Sequence, residues 1–192
     1  LQSILKPANG TRALKQRPDL VNIPFLDDPL WFAPLHQGAY NKAPLKVIQK
    51  LLSLGAWRTL KTIKGEKPVD LCPKGTQEDL VKLLTPIYKR KADQNVLSQI
   101  EKHFHEVIIQ RIKCLQRWSS LRLPDLEVLF EINKPKMWFP VPGMYGGFLF
   151  NLKVDKGSLR LISEMWCRVV EGSGQRHEIT AEGSRLIEEG FV

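Results

Sequence analysis

Apolar residues recur at two different periods along this chain, and the change of period divides it. Between residues 94 and 118 they return every three or four positions, at Val96, Leu97, Ile100, Phe104, Val107, Ile108, Ile112, Leu115 and Trp118. That spacing lays one stripe along a helix, and Asp93 stands where an N-cap is needed. A shorter helical segment is predicted after Pro124, from Leu126, Val128, Leu129 and Phe130, and Lys134-Pro135-Lys136 breaks it. Beyond that point the period drops toward two. Met137–Val141, Tyr145–Val154, Leu159–Val170 and Arg176–Thr180 read as strands, with Phe148, Phe150 and Leu152 in alternation. Turns fall at Pro142-Gly143, Asp155-Lys156-Gly157-Ser158 and Gly172-Ser173-Gly174-Gln175. Thr180 then caps a predicted last helix over 181–189. The expectation for residues 89–192 is a small α+β domain, an antiparallel meander with helices on one face.

The pattern of residues 1–88 is a weak repeat. Ala33-Pro34-Leu35-His36-Gln37-Gly38-Ala39 and Lys67-Pro68-Val69-Asp70-Leu71-Cys72-Pro73 lie 34 residues apart. An apolar helix is predicted after each, from Val47, Ile48, Leu51 and Leu52, and from Leu80, Val81, Leu83 and Leu84. Two short helices per period of 33–34 residues mark stacked helical repeats. Pro34 and Pro68 suit a first helical turn, which needs no N–H donor there, and Gly55 suits a left-handed helix stop.

These residues resemble the ankyrin-repeat family over about residues 8–86, close to two and a half repeats. Pro34-Leu35-His36 with Ala39, then Val47-Ile48 with Leu51-Leu52, then Gly55-Ala56 follow the family pattern; Gly65, Pro68, Asp70 and Leu83-Leu84 continue it. Ala33 and Lys67 replace the usual Thr, Pro44 sits in the inter-helix turn, and Pro73 interrupts the second unit's first helix. The resemblance implies a structural, loop-tying His36. It also implies a concave face of hairpin tips and first helices that grips a partner protein, with the 89–192 domain covering the end of the stack.

Charge sharpens that expectation. The 192 residues hold 29 Lys and Arg against 20 Asp and Glu, a formal net charge of +9 with a pI near 9.6. Residues 1–90 account for +8 of this and residues 91–192 for +1. Such a basic module fits an acidic partner protein, or alternatively nucleic acid. Lys42, Lys46 and Lys50 recur every four positions and would share a helix face. An apolar fraction of 43% supports a real core and excludes a mostly disordered chain. No apolar run approaches the roughly 20 residues of a membrane span, and Leu1–Pro7 lacks the pattern of a signal peptide. Cys72, Cys114 and Cys167 are odd in number and widely spaced, which reads as thiols of a reducing, cytoplasmic location.

Candidate partner-binding residues are Trp31 and Phe32 before one unit, Tyr40 at the end of a first helix, and Trp57, Arg58 and Lys61 before the next. A second cluster surrounds the Gly172–Gln175 turn. Arg168, Arg176 and His177 would bind an anion or ligand there, and Ser173, His177 and Glu178 form an alternative catalytic set. It lacks the spacing of a nucleophile elbow or of a phosphate loop. Glu101 and His105 lie four apart on the long helix, but two residues do not make a metal site. No cofactor or metal is expected. The sequence favours a non-catalytic interaction protein with a basic ankyrin-like surface. A C-terminal enzyme or small-ligand module targeted by the repeats is one alternative, and nucleic-acid binding by the basic N-terminal half is another.

Overall fold

The computed structural model describes residues 17–24, 28–91, 93–113, 121–155, 158–167 and 173–190. The fold is of mixed α+β class, and the chain divides into two compact units, Leu1–Tyr88 and Lys89–Val192.

Among the described residues, unit 1 is helical. A 3-10 turn, Pro18–Asn22, is followed by α1 (Pro34–Tyr40), α2 (Leu45–Ser53), a second 3-10 turn (Pro68–Leu71) and α3 (Glu78–Leu84). Pro34 and Pro68 each open their element. Val21, Leu35, Ala39, Ile48, Leu51, Ala56, Leu80 and Leu84 form the core. Gly38 lets α1 and α2 close on each other, because a Cβ there would stand 2.6 Å from Ile48 Cδ1. The element after Pro68 stops at a single turn. Cys72 precedes Pro73, which disfavours helical backbone in the residue before it, and Cys72 is accordingly extended. Lys42 stands outside α2 with φ +48°, so only Lys46 and Lys50 of the expected stripe ride on the helix.

Unit 2 holds α4 (Gln94–Ile112), α5 (Val128–Glu131) and five strands: β1 (Lys136–Val141), β2 (Gly146–Asp155), β3 (Ser158–Cys167), β4 (Ser173–Thr180) and β5 (Gly183–Glu189). The strands pair antiparallel in sequence order. Asp93 caps α4 by accepting from the Asn95 N–H at 2.7 Å. Leu97, Ile100, Phe104, Val107 and Ile108 meet Phe148, Phe150, Leu161, Met165 and Ile179 in one core. The Phe104 ring lies 6.4 Å from Phe148 and 4.9 Å from Phe150. Leu115 and Trp118, at the end of the predicted helix, lie outside the described residues.

The expected helix over 181–189 is a strand instead. Thr180 pairs with Gly183 across a two-residue turn at Ala181-Glu182, and β5 folds back on β4. Pairing gives β5 backbone partners and sets Arg185 beside Glu178 and Glu188 beside Arg176. Those cross-strand charges exist only once β4 is in place, so the local helix signal loses to the sheet. No helix among the described residues is long and apolar enough to cross a membrane.

Candidate interaction surfaces

The geometry of unit 1 centres on His36, which is fully buried. Its Nδ1 accepts the Ala33 N–H at 3.2 Å and its Nε2 lies 2.9 Å from the Leu60 carbonyl. The Ala33 amide can only donate and the carbonyl can only accept, so the ring carries its proton on Nε2. His36 thereby caps α1 and ties it to the loop that follows α2. Thirty-four positions on, Asp70 repeats the capping half of this device, accepting the Lys67 N–H at 2.8 Å. Successive loops also bond each other. The Ile63 N–H donates to Leu30 O at 3.2 Å, within a tight turn closed by the Thr62 N–H to Glu66 O at 2.8 Å.

The six partner-binding candidates fall into different settings. Tyr40 is 57% exposed at the end of α1, with its ring edge-on to Phe32 at 5.9 Å. Phe32 is 5% exposed and stacks on His36, so it belongs to the interior. Trp31 is half-buried at φ +58°. The Trp57 N–H donates to Asn22 Oδ1 at 2.8 Å, and Arg58 Nε donates to Leu83 O at 2.9 Å. These two half-buried residues therefore join successive segments of the unit. Lys61 is half-buried as well. Sequence reasoning passed over Ile63, 56% exposed at a loop tip beside exposed Lys64. Its signal was the Ile63-Lys64-Gly65 turn, with Gly65 at φ +80°.

In unit 2 the structure separates the second cluster. Arg168 lies outside the described residues. Ser173 begins β4 and His177 stands four positions along it, about 13 Å at the usual strand rise. Glu178 follows His177 on the same strand, and neighbours on a strand face opposite ways. The Glu178 carboxylate accepts from Arg185 at 2.7 Å and from Arg160 at 3.1 Å, which holds its pKa below the usual carboxylate value. Arg176 pairs with Glu164 at 3.0 Å and with Glu188. His177 faces the helix side. Burial, then the Arg111 guanidinium, pulls its pKa down against a smaller opposite pull from Glu189. Arg176 and Glu178 are thus bound into ion pairs on one face while His177 sits on the other, and no common substrate position joins them.

The polar residues of α4 hold structure. Glu101 Oε2 accepts the Leu126 N–H at 2.7 Å, and His105 Nε2 lies 2.9 Å from Pro124 O. Among the described residues no three His, Cys, Asp or Glu gather where they could hold a metal ion. A feature that the sequence hid is a basic cleft of about 650 Å³ beside β1 and β2, lined by Arg90, Lys91, Lys134, Lys136 and Lys153. Its members come from three separate stretches of chain, so no local run of charge announces it.

Comparison with protein-family models, with curated proteins and with solved structures finds no match to this chain.

Proposed function

We propose that this is a non-catalytic interaction protein, that unit 1 is a short, irregular ankyrin-type stack, and that its exposed tips and first helix hold an acidic partner protein. The stack is supported by the Pro34 and Pro68 element starts, by the buried His36 tie and by the Ile63–Leu30 bond between successive loops. The partner surface rests on one observation above the others. Tyr40 is an exposed aromatic ring steadied from beneath by buried Phe32. A pre-ordered aromatic loses little entropy on binding, which is the chemistry of an interface anchor. Exposed Lys42, Lys46 and Lys64 add a basic rim that favours acidic partners. Free thiols at Cys72 and Cys167 accord with a reducing compartment such as the cytoplasm.

Affinity capture from the native cell extract tests this reading, with and without nuclease, using the full chain and a Tyr40→Ala/Ile63→Ser variant. An acidic protein should be retained after nuclease treatment, and the variant should retain it about thirtyfold more weakly, the ~2 kcal/mol of an interface anchor. Equal retention by a correctly folded variant would sink the proposal. So would retention that vanishes with nuclease.

A further inference from the structure

The face of the unit 2 sheet turned away from α4 is divided down its middle. On β3–β5 its charges answer one another. Arg160 holds Asp155 and Glu178, Arg185 holds Glu178, and Arg176 holds Glu164 and Glu188. Asp155, at the end of β2, is drawn into this set, but the lysines of β1 and β2 are not. Lys136 and Lys153 point outward from these strands, Lys91 and Lys134 stand beside them, and all four are exposed with no carboxylate partner among the described residues. They border the 650 Å³ cleft, where Asp155, the one carboxylate among its described lining residues, is already taken by Arg160. Arg90 adds a fixed cation at the cleft wall, its guanidinium anchored on the carbonyls of Leu129, Ile132 and Asn133.

On the outward side of β1, two residues on from Lys136, comes an aromatic platform. Trp138 on β1 is 46% exposed, and its ring lies 5.8 Å from that of Trp166 on β3, inclined at 39°. Gly147 lies between them on β2, and a Cβ there would stand 2.9 Å from Trp138 Cζ2. Covering this glycine accounts for where the Trp138 ring rests. It does not account for the ring's exposed surface or for four unanswered lysines at one end of the same strands. From Gly147 to Lys153 the strip runs six residues, about 20 Å at the strand rise.

We propose that this half-face binds single-stranded nucleic acid of either sugar, with bases stacked on Trp138 and Trp166 and phosphates led across Lys136 and Lys153 toward Lys134 and Lys91. The lysines alone would suit any anion, and the tryptophans alone any flat apolar group. A single strand offers both at every step, a phosphate and a free π-face. A duplex presents the charge but hides the faces, and an acidic protein would leave the aromatic pair unused. The site is distinct from the unit 1 surface assigned to a protein partner.

The test uses the full chain and fluorescein-labelled 12-nucleotide oligo(U) and oligo(dT), read by anisotropy and by quenching of tryptophan fluorescence. Saturable binding to at least one oligonucleotide is expected, with quenching and a log K against log salt slope near −3, from about 0.7 per phosphate neutralised by four lysines. Lys136→Glu/Lys153→Glu should weaken binding at least tenfold. Trp138→Leu, which keeps an apolar cover over Gly147, should weaken it about five- to hundredfold. Lys42→Glu/Lys46→Glu in unit 1 and Lys102→Glu on α4 should leave it unchanged, with circular dichroism confirming the fold of each variant. The proposal is overturned by absence of saturable binding, or by a duplex of equal length or polyglutamate competing as well as the single strand. It is equally overturned if Trp138→Leu has no effect, or if the unit 1 reversals weaken binding as much as those on β1 and β2. Because the unit 1 charges are varied separately, either binding surface can fail without the other.

Discussion

Ser163 shows what a single residue can conceal. It is 1% exposed on the inner face of β3, in a position between Leu161 and Met165 where the alternation calls for an apolar side chain. Among the described residues its hydroxyl has no hydrogen-bond partner, and the residue opposite it on β4 is His177. The contrast is His36, equally buried but engaged through both ring nitrogens. A buried polar group without a partner carries a desolvation cost that a methyl does not. Ser163→Ala should therefore leave stability unchanged or raise it by up to ~1 kcal/mol, measured as a shift of the urea midpoint. A clear loss of stability would mean that the hydroxyl does work that the contacts do not show. The capping role of His36 was legible from its place three positions after Ala33 at a helix start opened by Pro34. The isolation of Ser163 was not, since a partner or its absence is a property of the fold around it.

At the scale of elements, length and regularity decided what could be read. Helix α4 was legible because its apolar stripe runs through five turns and begins at a capping Asp93. The short β5 was misread because Leu186-Ile187-Glu188-Glu189 carries no clear alternation and ends in good helix formers. The β1–β2 hairpin gives the most direct test of strand packing. A Cβ at Gly147 would lie 2.2 Å from the Phe139 carbonyl oxygen, which is backbone and cannot swing aside. Gly147→Ala should cost about 1–3 kcal/mol by overpacking, lowering the thermal midpoint by several degrees, roughly 4–8 °C per kcal/mol for a unit of this size. An unchanged midpoint would show that β1 can move away from β2 without loss. The pairing of Pro140 with Gly147 shows what approaches this glycine, and no residue near it in the sequence does.

For the whole molecule, charge and protonation carry the argument. Burial and Arg111 keep the folded His177 pKa below its ordinary 6.5, so the unfolded chain takes up a proton first as pH falls. The unfolded state then binds more protons, and stability declines on acidification below about pH 6.5 until the folded ring also protonates. His177→Gln should show a shallower fall in urea midpoint than the parent chain between pH 7.5 and 5; parallel curves would contradict the direction of the shift. Net charge follows a different logic. Counting along the chain places +8 in residues 1–90 and +1 in residues 91–192, yet Lys91, Lys134, Lys136 and Lys153 of the nearly neutral stretch line one basic cleft. The sheet brings this about by pairing Arg160, Arg176 and Arg185 with carboxylates on one half and leaving Lys136 and Lys153 unanswered on the other. The sequence by itself determined the helical and strand-rich halves, the Asp93 cap of α4 and the total charge, because these depend on residue type and on spacing within one segment. The tertiary structure alone decided which strands pair, which charges cancel and which aromatic ring lies beside which lysine, because each depends on residues far apart in the chain meeting across a few ångströms.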